Sequence, residues 1–241
     1  MSPSSRQLGL TLFIGLVLAG CANRPPEEPI DDPLEPVNRA IYKFNDALDR
    51  HVLKPVAQGY QDHIPNPVRS GVRNFFRNLH EPLNFVGDVL QAKPQAAATD
   101  LTRLIFNSTF GVLGLVDVAT DWGLAANDED FGQVFATWGI GEGWYIVLPF
   151  IGPSTARDTV SLPLDWDLDP VLYQGIFSKV PQLTLRVVSD RADLLGATRV
   201  LDETAVDPYI SVREAYRQAR WSKRYDGNPP EPDFFNEVLP P

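Results

Sequence analysis

Proline occupies 22 of the 241 positions, close to twice the usual usage of about 5%, and nowhere do apolar and polar residues alternate in a sustained period of two. A proline sets φ at about −65° and removes a backbone N–H, so it favours the first turn of a helix or the end of one. Without period-two runs there is little for a sheet to use. The chain is therefore predicted to be all-α, made of short amphipathic helices broken by turns, with a few strand-like residues possible around Tyr145 to Leu148.

The first helix is expected after Asp31 or Asp32, with Pro33 in its opening turn and Leu34, Val37, Ile41, Phe44 and Leu48 forming one apolar stripe. Pro55 should break or kink it. After Pro65-Asn66-Pro67, the run NPVRSGVRNFFRNLHEP carries Val68, Val72, Phe75, Phe76 and Leu79 on one face and Arg69, Arg73 and Arg77 beside it. Those arginines suit either a solvated basic face or contact with phosphate-bearing headgroups, for which a guanidinium is the better-fitting cation. Pro82 should open a short helix to Gln91, and Pro94 another to about Thr109. Pro153, Pro163 and Pro170 leave room only for short pieces. A helical pattern follows from Pro181 to Ala205, and a last helix opens at Asp207-Pro208 with Arg213, Arg217, Arg220 and Arg224 on one face.

Between Thr102 and Ser154 lie eight of the 17 glycines and three of the five tryptophans. Glycine marks left-handed turns or close backbone approach, and tryptophan suits a boundary between apolar and wet surroundings. Two readings stand: a buried core with tight turns, or an irregular element at a membrane interface. In the second, Gly111, Gly114, Trp138, Gly139, Gly141, Gly143 and Trp144 are candidates for the wall or gate of a passage.

The first 20 residues read as a signal peptide: Arg6, an apolar run LGLTLFIGLVL, then Leu18-Ala19-Gly20-Cys21. That run is too short for a spanning helix of about 20 residues. The box predicts cleavage between Gly20 and Cys21 and a lipid on the Cys21 thiol, the single cysteine of the chain. Ala22, not Asp, follows it, which favours sorting to the outer membrane. Residues 21–32, proline-rich and without apolar period, should be a lipidated tether; 33–225 should form one helical domain, and 226–241 a flexible tail.

A net charge of −10 argues against nucleic acid as a partner. No nucleotide-binding glycine loop occurs; Gly139, Gly141 and Gly143 lack both the spacing and the preceding strand. His51, His63 and His80 all precede Ser154, so the faint nucleophile-elbow pattern around that serine has no base after it. These histidines also lack metal-ligand spacing. No catalytic residue, cofactor or metal is expected.

Five blocks, in order behind the lipoprotein box, carry a resemblance: DPLEPVNRAIYKFNDALD, NFFRNLHEPLNFVGDVLQ, FNSTFGVLGLVDVA, EDFGQVFATWGIGEGWYIVLPFIGPSTARD and DPYISVREAYRQAR. Together they span roughly residues 32–225, and the chain resembles the MlaA (VacJ) family of outer-membrane phospholipid-transport lipoproteins. The resemblance implies a helical ring lying in the periplasmic leaflet around an amphipathic channel. It also implies association with a trimeric porin and delivery of mislocalised phospholipid to a soluble periplasmic carrier. A structural lipoprotein that only tethers or organises the envelope is the alternative, although the chain has neither a long coiled coil nor a separate wall-binding domain.

Overall fold

The computed structural model describes residues 32–172 and 174–230; the signal peptide, Cys21, most of the tether and the end of the tail lie outside them. Helix α1 (Glu35–Leu48) starts two residues later than Pro33 suggests, with Pro36 in its first turn. A π-turn (Asp49–Leu53) joins it to α2 (Lys54–His63), which carries Pro55 in its first turn. Pro55 has no N–H to offer, and the wider turn ahead of it absorbs the mismatch, so the helical path continues across it.

Helix α3 (Asn66–Leu90) runs through Pro82 without a break, contrary to the expected new start there. It packs along α4 (Pro94–Thr109). The residues flanking the proline are held from outside. Asn78 Nδ2 donates to Ser108 Oγ at 2.9 Å, Arg103 Nε to Glu81 Oε1 at 2.9 Å, and the Glu129 N–H to Asn84 Oδ1 at 3.0 Å. These bonds outweigh the one N–H that Pro82 lacks.

Two short helices, α5 (Val118–Asp121) and α6 (Phe131–Thr137), start on Asp117 and Asp130, whose carboxylates accept from the N–H groups of Thr120 and Gln133. Strands β1 (Tyr145–Leu148) and β2 (Gly152–Thr155) form the one antiparallel hairpin among the described residues, with Tyr145 opposite Thr155. The free edge of β1 is covered by α1. Two asparagines seven apart act as surrogate backbone there: Asn38 bonds Tyr145 O at 3.0 Å and the Val147 N–H at 2.9 Å, while Asn45 bonds Leu148 O and the Phe150 N–H, both at 2.9 Å.

Helix α7 (Ala156–Leu168) likewise continues across Pro163, longer than the proline spacing suggests, because Asp158 and Asp165 on either side are fixed by Arg220 and by the Phe131 N–H. Helix α8 (Ile176–Asp193) contains Pro181 in its second turn, α9 (Leu195–Thr204) follows at once, and α10 (Pro208–Arg224) opens on Asp207 as the sequence suggests.

Apolar packing is confined to small clusters. One joins Ala57, Ala192 and Leu195; another joins Tyr145, Val147 and Tyr209 with Ile41, Tyr42 and Tyr216. Elsewhere, buried apolar side chains such as Leu83, Val134 and Val171 are mixed with polar ones. Among the described residues, buried polar and charged side chains outnumber buried apolar ones, and many large apolar side chains are exposed.

Candidate functional site: a polar cavity in an apolar shell

A cavity of about 830 Å³ opens between α3, the loop before α6, and α7, α8 and α10. From α3 it receives Arg73, Phe76, Arg77, His80, Glu81, Leu83 and Asn84, one stripe of the helix. Asn127 and Asp128 come from the loop, Asp165, Trp166 and Asp169 from the end of α7, Arg186, Asp190 and Asp193 from α8, and Lys223 and Asp226 from the end of α10 and the residues after it. The wall thus mixes cations and carboxylates with a few apolar surfaces, and the carboxylates are the more numerous.

Most of these charges are paired. Arg73 Nη1 lies 3.0 Å from Asp193 Oδ1, and Arg186 Nη1 lies 2.6 Å from Asp169 Oδ2. Burial pushes the Asp190 carboxyl upward, and the positive charges of Arg186 and Arg77 oppose it. Burial also pushes Asp165 up to about 6. Arg77 is exposed and makes no hydrogen bond or ion pair among the described residues.

Behind the wall lies a second polar layer. Arg103, almost wholly buried, binds Glu81 at 2.9 Å, Asp117 at 3.1 Å and Leu124 O at 2.6 Å. Burial pushes Glu81 up even so, with Arg103 opposing it. Gln91 and Lys93 donate to the buried Glu129 at 2.6 and 3.2 Å, and Asn127 donates to Asp88 at 2.9 Å. On the other side, Arg220 of α10 bridges Asp130 and Asp158, and the Tyr216 hydroxyl donates to Asp158 at 2.6 Å. Gly132 is required here, since a Cβ would stand 2.6 Å from Arg220 Nη2. A protein whose charges lie inside and whose apolar side chains lie outside has the polarity expected of one placed in an apolar medium.

The candidate arginines divide. Arg73 and Arg77 line the cavity, whereas Arg69 bonds Asn66 near the start of α3 and does not. None of Gly111, Gly114, Trp138, Gly139, Gly141, Gly143 and Trp144 is a lining residue. Gly111 and Gly114 belong to a tight turn after α4 in which Val112, Leu113 and Gly114 all have positive φ (54°, 57° and 86°). A Cβ on Gly111 would overlap the carbonyl oxygens of Val116 and Asn107, and one on Gly114 would overlap Asn78. The turn projects Phe110, Val112, Leu113, Leu115 and Val116 outward. Gly141 is buried, and Gly143 has φ 68° with Ala156 Cβ 2.9 Å from where a Cβ would stand. Trp138 and Trp144 are half exposed, and the Trp138 indole N–H donates to Leu90 O at 3.0 Å. The stretch thus turns several large apolar side chains outward, while its Ala119, Val134, Ala136, Tyr145 and Val147 are buried. Cys21 lies outside the described residues.

Sequence reasoning did not find Glu81, Asn84, Arg103, Asn127, Glu129, Asp130, Asp158 or the α8 carboxylates. One signal was available: on α4, Asp100, Arg103 and Asn107 recur at helical spacing and are buried, while Leu101 and Ile105 between them are exposed. Polar residues on a helical period mark a face just as apolar ones do. Among the described residues no group of His, Cys, Asp or Glu could hold a metal ion, and no helix is long and apolar enough to cross a membrane.

Fold and site together define a class: a mainly helical protein with a charged cavity and many large apolar side chains exposed on its outer surface. The chain belongs to the MlaA lipoprotein family, whose model matches residues 30–223. It is 37% identical over 223 residues to the intermembrane phospholipid transport system lipoprotein MlaA of Shigella flexneri, covering 89% of this chain and 85% of that one. To the protein of the same description from Escherichia coli (strain K12) it is 35% identical over 222 residues, with the same coverage. A solved structure described as the structural basis for maintenance of bacterial outer membrane lipid asymmetry superposes with a TM-score of 0.72 at 33% identity, over 83% of this chain and all of that one.

Proposed function

We propose that this protein is an outer-membrane lipoprotein, anchored through acylated Cys21 in the periplasmic leaflet, that takes mislocalised phospholipid from the outer leaflet and passes it to a soluble periplasmic carrier. The observation that carries the reading is the inverted polarity: a charged cavity of about 830 Å³ within a body whose exposed surface is rich in large apolar side chains. A phospholipid changes leaflet slowly because its charged headgroup must cross hydrocarbon. A polar cavity held at membrane depth lowers that barrier while the acyl chains stay against apolar surfaces.

The names of the relatives, which describe a phospholipid transport system, support the same reading. Arg73 and Arg77 meet headgroups from inside the cavity, and Arg69 from the surface. The Gly-Trp segment forms the outer, membrane-facing side of the passage wall and bends where the passage opens. A trimeric porin is the partner that holds the ring in the membrane. Only non-covalent binding and release are needed, so the protein is not an enzyme. A purely structural lipoprotein would leave the cavity without a role.

The test is surface phospholipid in cells lacking the gene, then complemented. Wild type should restore outer-leaflet asymmetry. Ala126→Trp, at an exposed position on the cavity wall, should not, while reaching the same membrane fraction at the same level. Unchanged surface phospholipid in the deletion strain would refute the proposal.

A further inference from the structure

Of the five Arg and Lys side chains that line the cavity, four already have a carboxylate partner. Arg73 Nη1 lies 3.0 and 3.2 Å from the two Asp193 oxygens, Arg186 bonds Asp169 at 2.6 Å, and Lys223 bonds Asp128 at 2.5 Å. Arg103 is held between Glu81 and Asp117. Arg77, one turn along α3 from Arg73, is exposed and has no hydrogen bond or ion pair among the described residues. We infer that Arg77 is the docking point for phosphate in this cavity, and that its being alone fits the site to lipids bearing a phosphodiester, with one negative charge, over lipids bearing a phosphomonoester, with two. The inference rests on the cavity being the lipid site.

A guanidinium meets two phosphate oxygens in a planar fork and cancels one negative charge. A phosphodiester needs no more than that. A phosphomonoester carries about −1.5 to −2 at neutral pH, because its second pKa lies near about 6, so it needs a second cation. Arg73 is one turn away and can add hydrogen bonds to a headgroup, but its charge is committed to Asp193. That pair is partly exposed and can open at little cost. Opening it leaves the Asp193 carboxylate in the wall, however, so the charge that the ligand meets is unchanged. The seven carboxyl groups of the lining outnumber its five cations, and the wall holds no positive charge in reserve. A cavity of about 830 Å³ is also too small for salt to screen a second negative charge from its walls. Neutralising Asp193 is a different case, since it frees Arg73 beside Arg77 and removes one carboxylate at the same time.

The test is equilibrium binding by the mature acylated protein in non-ionic detergent at about pH 8, where a phosphomonoester is dianionic. The probes are dihexanoyl phosphatidylmethanol and dihexanoyl phosphatidic acid below their micelle concentrations, which differ by one methyl ester and one charge. The diester should bind more tightly by a factor of about ten or more. Arg77→Gln should weaken the diester by a similar factor without moving the melting temperature, because the side chain holds no hydrogen bond or ion pair to lose. Asp193→Asn should strengthen phosphatidic acid by about tenfold and remove the preference, whereas Asp193→Glu, which keeps the charge, should leave it in place. Dimethyl phosphate, the same diester without chains, should bind more weakly than the lipid; equal binding would assign the site to a soluble phosphodiester and overturn the lipid. Equal affinity of the wild type for the two lipids, tighter binding of phosphatidic acid, an Asp193→Asn protein with the wild-type ratio, or an Arg77→Gln protein that binds the diester as well as wild type overturns the inference and leaves the transport reading standing. Binding of neither lipid overturns the transport reading itself.

Discussion

Asp88 on α3 and Asp100 on α4 bring their carboxyl groups together with both side chains fully buried, and the Asp100 oxygens find no donor among the described residues. Two carboxylates cannot both be charged there. Burial first, then Asp88, with Glu81 and Glu129 adding, pushes Asp100 up to about 8, so it carries a proton at neutral pH that can bridge to Asp88. The folded pKa lies above the unfolded one, so this group's contribution is complete below about pH 4, the ordinary Asp value, and is lost as pH rises toward 8. We therefore expect thermal stability to fall between pH 5 and pH 8. Asp100→Asn, which keeps a donor without a titratable proton, should flatten the fall and gain on the order of 1–3 kcal/mol relative to wild type at pH 8. Melting curves at the two pH values decide; identical slopes in both proteins would show that Asp100 does not titrate in this range.

Arg220 ties the last helix to the rest of the body by bridging Asp130 at the start of α6 and Asp158 in α7. Both carboxyls are held below the usual carboxylate range, burial opposing and Arg220 prevailing. Removing the cation strips buried Asp130 of its main partner and leaves Asp158 with Arg157 as its remaining cation, at 2.9 Å. Arg220→Ala should cost about 3–5 kcal/mol in urea unfolding. In wild type the paired carboxylates stabilise above the ordinary Asp pKa, and that share is lost as pH falls through their lowered values. The variant should lose this acid sensitivity. A cost below about 1 kcal/mol would mean that solvent screens the bridge.

Much of the fold was legible in the sequence, because prolines and caps announce themselves: Pro94 and Asp207-Pro208 open helices where expected, and the strand-like residues at Tyr145 pair as β1. What was not legible was which way the stripes point. On α1 the apolar stripe was found, yet Val37, Phe44 and Leu48 are exposed and Asn38 is buried. Period gives a face, and only the surrounding medium says whether that face turns in or out. The same ambiguity hid the cavity, whose walls come from residues 73 to 227 and meet only in the folded chain. The helices through Pro82 and Pro163 were missed for a related reason, since the bonds that hold them come from distant residues.

Gly111 and Gly139 separate two uses of glycine. Around Gly111 there is no room for a Cβ, whereas Gly139 has positive φ (85°) and open space around it. Gly139→Ala should cost about 1 kcal/mol from the backbone alone. Gly111→Ala must shift the turn as well and should cost more, about 2–3 kcal/mol. Calorimetry of the two variants would check the order. If transport defects of both simply follow stability, the segment frames the passage without gating it.

The outward apolar surface makes the last prediction. Leu113 is 69% exposed at the turn after α4, and Phe150 is 75% exposed at the hairpin loop; neither touches the polar interior. In water such side chains are a liability, but against hydrocarbon each full burial contributes about 1.5–3 kcal/mol. In a Cys21→Ser protein, which has no acyl anchor to mask the effect, Leu113→Glu or Phe150→Glu should weaken binding to phospholipid vesicles by about tenfold or more, with little change in melting temperature. Because the contact is apolar, that loss should be the same at low and high salt. Arg69→Glu, by contrast, should weaken binding to anionic vesicles mainly at low salt, where a charge on lipid is least screened. Vesicle partitioning that ignores Leu113 and Phe150 would place the hydrocarbon elsewhere on the surface and undo the inside-out reading from which the passage is argued.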